Sequence, residues 1–454
     1  MADLNLKKGF EVKLEGEATR EIVNAPKPSI VAVKPTDIKG IVFRPTVAPG
    51  DEVKVGSSIG HAKSDEEWFF SSPVSGKVKD IVRGAKRKIL AVEIETDQND
   101  SFEYEEFEKW QADQIPSLNA QDIVAHLKKV GLLHLFRQRP FDLVANPEQL
   151  PRDIFISTLD TAPLSADPNL IIQGNESFFQ IGLDICNQLT SGKVHVQVDG
   201  KRKDVSEVFA HARNVQVNRV IGSHPAGNIG VHIHHIAPIS GREDVVWYIN
   251  VQGLVTLGKL FVTGQFDSEM IVAVAGTAAK DRRYYRTVRG AQIQSFVQTD
   301  DTVTPRIISG NVLTGEKVEA EGYVGFYDNL VTVIHEKVDP EFIGWMLPGA
   351  NDQSYFKAFL SSAFPGKKFD QHTGLNGGRR ALVVSGIYED VLPMDVYPIF
   401  LIKAVMSRDI DEMEQLGIYE VVEEDLAVCE YICPSKTEFQ TILRQGIDYL
   451  IKEG

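Results

Sequence analysis

Two cysteines four residues apart, Cys429 and Cys433, with Pro434 directly behind them, have the types and spacing to hold a metal cluster. A four-thiolate iron–sulfur run reads C-x2-C-x2-C-x3-C-P, and this stretch ends as such a run ends. Counting back along that spacing, the other two thiolates would fall at 426 and 423, where the chain has Leu426 and Glu423. Two thiolates, a leucine and a carboxylate do not supply four soft ligands. The expectation is a helical stretch that ends near Cys433-Pro434, with Cys429 packed as a small buried residue. A metal role is left only if other residues or a partner protein complete the set.

Histidines offer a second chemistry. Four of the chain's eleven, His224, His232, His234 and His235, fall within twelve residues of a glycine-containing stretch that begins at Gly222. Read as a strand, the alternation of His232 and His234 puts both rings on one face, about 6–7 Å apart. His224 would then be a third candidate ligand. Three readings stand: a metal site, a small-molecule or quinone contact, and hydrogen bonds at a domain or subunit contact. No residue is assigned a catalytic or metal-binding role; His224, His232 and His234 are the candidates for a quinone or contact site.

The remaining cofactor chemistries lack their residues. No G-x-G-x-x-G stands between a strand and a helix, and there is no P-loop. Where a glycine cradle is expected, residues 130–141 carry bulky Leu132, Leu133, Phe136, Arg137, Arg139 and Phe141, which would keep a phosphate from the backbone amides. The acidic balance, formal net charge −15, argues against a nucleic-acid partner and against anionic lipid. Arg282, Arg283, Arg286 and Arg289 reverse the sign locally and are read as a contact surface. Three cysteines in all do not make a disulfide framework and fit a reducing compartment. The first residues lack the apolar core of a signal peptide, and no stretch is apolar for long enough to span a membrane.

The elements that position these residues change character along the chain. Its 454 residues suggest about three or four domains. Residues 1–98 read as short alternating strands with turns at Pro49-Gly50-Asp51 and Ser75-Gly76-Lys77. The stretches 47–60 and 72–78 resemble a biotinyl/lipoyl-like barrel, whose modified lysine falls on Glu66 in this register, three residues from Lys63. Residues 99–255 alternate strand and helix, with strands at 153–157, 193–198 and 215–221 and a helix over 177–189, which argues for a Rossmann-like α/β domain with a mostly parallel sheet. Residues 256–335 are read as β-rich, with strands at 260–264 and 271–276, and resemble the ubiquitin-like SLBB domain. Residues 336–395 form a loop-rich connection with basic, flexible stretches at 364–370 and 376–380. Residues 396–454 are helical and contain the cysteines.

This order resembles that of the NADH-binding flavoprotein subunit of complex I and the C subunit of Rnf complexes, in which a glycine-rich loop holds flavin and NADH and the helical domain holds ferredoxin-like clusters. The chain departs from both at those points. It more closely resembles the A subunits of Na+-translocating NADH:quinone oxidoreductases. The segments that carry the likeness are 4–9; His224-Pro225-Ala226-Gly227 with 230–234; Ile308-Ser309-Gly310 with Gly315; 376–381; and 424–434. The resemblance implies a peripheral subunit on the cytoplasmic face of the bacterial inner membrane. It implies a six-subunit complex that uses NADH, flavins, iron–sulfur centres, ubiquinone and Na+, with the membrane-embedded B subunit the chief partner. It implies no cofactor bound by this chain itself, a candidate role in quinone binding, and an isolated chain without activity. A cofactor-free scaffold and a flavin/iron–sulfur electron carrier are the alternatives.

Overall fold

The computed structural model describes residues 3–97, 99, 101–300, 302–337, 347–375 and 377–453. Met1, Ala2, residues 338–346 of the expected connection, and Asn376 of the basic 376–380 stretch lie outside the described residues. Two short strands, β1 (Asp3–Asn5) and β2 (Thr19–Asn24), open the chain. Neither joins the barrel expected for 1–98. With mostly exposed side chains they cannot bury a face alone, and each edges a later sheet.

The barrel proper is a sandwich of seven strands: β3 (Ile30–Val33), β4 (Phe43–Pro45), β5 (Glu52–Val53), β6 (Ser58–Ala62), β7 (Asp65–Ser71), β8 (Gly76–Arg83) and β9 (Ile89–Thr96). Sheet β3-β9-β8-β5 faces sheet β4-β6-β7 across Val31, Val55, Ile59, Phe70, Val74 and Val92. The alternation Val53, Val55, Ile59 supplies this inner face. The β6–β7 hairpin turns at Lys63-Ser64, so Lys63 stands at the tip and Glu66 lies along β7. The register that put Glu66 at the tip is corrected by three residues.

Next come helix α1 (Ala120–Val130), strands β10 (Arg137–Arg139), β11 (Leu143–Val144) and β12 (Ile154–Ser157), helices α2 (Pro168–Ile171) and α3 (Glu176–Gln188), β13 (Val194–Asp199), α4 (Glu207–Ala210), β14 (Gln216–Ile221), α5 (Ile229–Ile236), β15 (Val246–Tyr248) and α6 (Val251–Thr263). Their sheet runs β1-β14-β13-β12-β15-β10-β11. The first five strands are parallel; β10 and β11 close the edge antiparallel. From β12 the chain winds outward through β13 and β14, then returns to place β15 on the other side of β12. That reversal opens a crevice at the carboxyl ends of β12 and β15, where α/β sheets bind ligands.

Two strand expectations fail here. Residues 260–264 end helix α6, which starts on the Asn250 side chain (it accepts from the Gly253 amide at 2.7 Å) and stops at Gly264 with φ 72°. A window opened at 260 saw only the β-branched tail of that helix, which runs through the expected junction at 255/256. Gly182 and Gly258 let α3 and α6 touch: a Cβ on Gly258 would lie 2.0 Å from the Phe178 carbonyl, and one on Gly182 2.5 Å from that of Leu254. The second failure, over 231–236, concerns the site and is taken up below.

A mixed sheet in the order β19-β18-β20-β16-β17-β2 follows, from β16 (Glu269–Ala275), β17 (Arg283–Val288), β18 (Pro305–Ser309), β19 (Glu316–Val318) and β20 (Leu330–His335). Of the arginines read as a contact surface, Arg282 is exposed, while Arg283, Arg286 and Arg289, on and beside β17, bind within the chain. Arg286 meets Glu269 at 2.6 Å, Arg283 meets Asp281 at 2.6 Å, and Arg289 is buried. The chain closes with α7 (Pro398–Ser407), α8 (Ile410–Gln415), α9 (Glu423–Ile432) and α10 (Phe439–Glu453), packed around Leu426, Val428, Leu443 and Ile447.

Candidate functional site

The crevice beside β12 and β15 holds about 190 Å3. Ser157 and the following loop form one wall, and Tyr248, Ile249 and Asn250 another. Asn311, Thr314 and Asn329 enter from the β unit and Glu424 from α9. Three parts of the chain therefore meet at one opening. The strand-to-helix turn that would cradle a phosphate is residues 158–167, not 130–141. Residue 131 is the glycine that ends α1, with φ 73°, and residues 137–139 form an antiparallel strand between β15 and β11. The true turn contains Thr158, Leu159, Asp160 and Thr161 and no glycine, and Asp160 is in the crevice wall. A carboxylate in a turn without glycine repels a phosphate where a cradle would attract it.

Of the three candidate histidines, only His224 reaches this crevice. The Gly227 amide donates to Thr161 Oγ1 at 2.8 Å, and His224 Nδ1 lies 3.2 Å from the same hydroxyl. His224 Nε2 is buried and has no partner. Burial pushes the ring's pKa down to about 4, so it is neutral at physiological pH.

His232 and His234 lie on helix α5, not on a strand. β14 and β15 are parallel, so the chain between them must cross over, and α5 is that crossover. Two residues apart on a helix, the rings diverge by about 200° instead of sharing a face. His232 is fully buried and donates Nε2–H to the Ala226 carbonyl at 2.8 Å. His234 accepts from the Asp395 amide on Nε2 at 3.1 Å and donates from Nδ1 to Glu420 at 2.6 Å. His235 donates to the Pro393 carbonyl at 2.7 Å. His234 and His235 tie α5 to the C-terminal part of the chain, whereas the His232 bond runs back to the loop that precedes α5. Among the described residues no group of three or more His, Cys, Asp or Glu is disposed to hold a metal ion.

The cysteine stretch is α9, closed off by Cys433 as expected. Both thiols are buried; Tyr388 Oη lies 3.2 Å from Cys433 Sγ, and Cys429 Sγ reaches the Tyr388 carbonyl at 3.8 Å. Burial raises the Cys429 thiol's pKa, which disfavours the thiolate a metal needs. At the two positions where the spacing asks for thiolates, Leu426 is wholly in the core, and Glu423 pairs with Arg444 at 2.6 Å and Lys39 at 2.9 Å.

Sequence reasoning missed the charge cluster under the crevice. Arg139 is fully buried and binds Asp425 at 3.0 Å and Glu424 at 2.7 Å. Asp425 also accepts from the Val422 amide at 3.0 Å. Arg137 lies over the rings of Tyr248 and Tyr327 at 4.6 and 4.5 Å. Asp142 takes Lys39 at 3.1 Å and the Tyr248 hydroxyl. Burial alone would raise the Asp142 pKa, but Arg137 and Lys39 overcome it and hold it well below the usual carboxylate range. Glu424 goes the other way: burial, only partly offset by Arg139, pushes it up to about 7. A third of its side chain stays open, which moderates that shift. The visible signal was charge in apolar surroundings, Arg137 and Arg139 beside Phe136 and Phe141.

Models of three domain families match the chain: an NqrA N-terminal barrel-sandwich hybrid domain over residues 4–97, an NqrA second alpha/beta domain over 118–266, and an NQRA C-terminal domain over 271–320. Among curated relatives, the A subunit of the Na(+)-translocating NADH-quinone reductase from Pasteurella multocida is 36% identical over 99% of this chain and 100% of its own length. The protein of that name from Vibrio campbellii is 37% identical over 99% and 100%. That from Rhodopirellula baltica is 36% identical over 99% and 98%. A chain of an NAD+-reducing [NiFe]-hydrogenase aligns over 78% of this chain and 67% of its own, at 10% identity and TM-score 0.36.

Proposed function

The chain belongs to the family of A subunits of Na(+)-translocating NADH-quinone reductases, and we propose that within such a complex its crevice binds the quinone ring. The complex couples NADH oxidation and quinone reduction to sodium translocation. The observation that carries the proposal is His224 Nε2, an unpartnered nitrogen of a neutral ring beside the crevice, which in the Nε2–H tautomer donates to a carbonyl oxygen. The amides of Asn228 and Asn250 add polar atoms to the same walls. No redox cofactor is assigned to this chain; electrons reach quinone through other subunits. His234 is given the contact role its bonds describe, and His232 holds the turn at Ala226. The five-part division of the chain is retained, with the second junction carried past Thr263.

Titration of the full chain with a short-chain quinone, read by calorimetry, tests the site. Saturable binding is expected, weakened about threefold to tenfold by His224→Ala and unchanged by His235→Ala. Absence of saturable binding makes the chain a scaffold.

Among the described residues no helix is long and apolar enough to cross a membrane. We assign the chain to the cytoplasmic face, docked on the membrane-embedded B subunit. Exposed Phe364 and Leu375, with Tyr397, Phe400 and Met406 along α7, support a docking face there. Deleting 364–380 would also remove buried Phe369, which bridges to Leu14. The cleaner test is Phe364→Asp with Leu375→Asp. Loss of co-purification with the B subunit is expected; unimpaired assembly excludes this face.

A further inference from the structure

A second cleft lies where the barrel, the α/β unit and the β unit meet, and shares no lining residue with the crevice. Ala32, Phe70 and Pro73 of the barrel line it, with His134 and Phe266 of the α/β unit and Arg289 just beyond β17. Arg289 is 4% exposed. Its guanidinium donates to the Phe326 carbonyl at 3.3 Å and to Thr256 Oγ1 at 3.2 Å, both long, and Nε has no partner. A guanidinium has five N–H bonds, so most of its donor capacity is unused. Among the described residues no carboxylate lies within 4 Å of it. The Phe326 ring lies 5.2 Å away. Asp267 acts on the guanidinium from farther off and is itself taken by Lys259 at 2.5 Å.

The other charges in the cleft wall do not repair this. Lys34 and Asp37 form an ion pair at 3.1 Å, and Asp37 also accepts from the Phe326 amide at 2.9 Å. Lys34 also meets Glu316 at 3.1 Å, so these charges are matched among themselves and Arg289 is the cation of the lining that has no carboxylate in contact among the described residues. His134 brings no countercharge: burial keeps it neutral, it stacks on Phe70 at 5.0 Å, and its Nδ1 is buried without a partner. Burial also draws the Arg289 pKa down, to about 10, as befits a cation without a close counterion. Arg139, equally buried, shows how this chain treats such a charge elsewhere, with two carboxylates in direct contact.

We propose that this three-way cleft is a binding site for one monovalent inorganic anion of about chloride size, with Arg289 as its countercharge. The room is about 20 Å3, enough for one water-sized occupant. Sulfate and organic anions are too large for that room, and one guanidinium without a carboxylate in contact matches a single monovalent ion. The ion completes the charge balance where barrel, α/β unit and β unit share a wall, so its binding ties them together. An occupant that binds only the folded state raises stability with the logarithm of its concentration.

The test uses the full chain at constant sodium concentration with chloride replaced stepwise by gluconate. The melting temperature of the wild type is expected to rise with the logarithm of chloride concentration, and that of Arg289→Met to be insensitive to the exchange. Crystals grown in bromide should carry an anomalous peak in the cleft beside the Arg289 guanidinium. A wild type that melts identically in chloride and gluconate, or a cleft without bromide signal, overturns the proposal. If Arg289→Met does not fold, the wild-type bromide map decides alone.

Discussion

Around Cys429 and Cys433 the side chains close on one another, while at the carboxyl ends of β12 and β15 they stand apart. The first region is where a redox subunit of this domain order is expected to keep clusters, the second where it is expected to keep a nucleotide. In the first, Leu426, Tyr388 and Phe439 fill the space against two buried thiols, each within reach of Tyr388. In the second, about 190 Å3 stays open between three units and is floored by a dense cluster of paired charges. The difference teaches that the absence of a binding motif has two structural outcomes. A helical core closes by apolar packing, because every filled gap gains contact. A switch-point crevice cannot close in that way, since its walls are polar strand ends and loops held by different units.

Breaking each region should have a different signature. Arg139→Met leaves Asp425 buried without its partner, and a loss of about 3–5 kcal/mol is expected by chemical denaturation; a loss under about 1 kcal/mol would mean that the cluster is not structural. Leu426→Ala empties part of the closed region and should cost about 2–5 kcal/mol. A similar change in the open region, Ala162→Leu in the crevice wall, should stay within about 0.5 kcal/mol, and equal costs would erase the contrast.

The crevice should also show a pH dependence. With its pKa raised from 4.5 to about 7, Glu424 binds more protons in the folded chain than in the unfolded one across that window. Its contribution therefore falls as pH rises through it. Buried His224 and His232, both pushed down to about 4, act in the opposite direction between about 4 and 6.5. The difference between wild type and Glu424→Gln isolates the carboxyl: the variant should lose the decline between pH 4.5 and 7, and an unchanged profile would show that the crevice hydrates Glu424 fully.

Local signals carried much of the architecture. The alternation of Val53, Val55 and Ile59 specifies a barrel face, and the 3.6-residue stripe over 177–189 specifies α3. The spacing from Cys433 back to Glu423 already excluded four thiolates, because ligand identity is a property of sequence. What misled was alternation read in too short a window. Val231-His232-Ile233-His234 has a strand's period over four residues, yet parallel β14 and β15 require a crossover there, and the Asn228–Gly230 stretch begins one. Leu260-Phe261-Val262-Thr263 looks like a strand only if the Asn250 cap, ten residues upstream, is not counted.

By itself, then, the chain's order of residues determined which motifs it carries and which it lacks, and that barrel-like, α/β and helical stretches follow one another. These follow from side-chain type and near-neighbour periodicity. Only the tertiary structure decided that His224 borders a crevice and His234 does not, that Arg139 meets Asp425 from 286 residues away, and that Arg289 is buried without a carboxylate in contact. Each of those depends on which unit packs against which, and a buried charge declares itself matched or unmatched only when the partners from distant segments have come together.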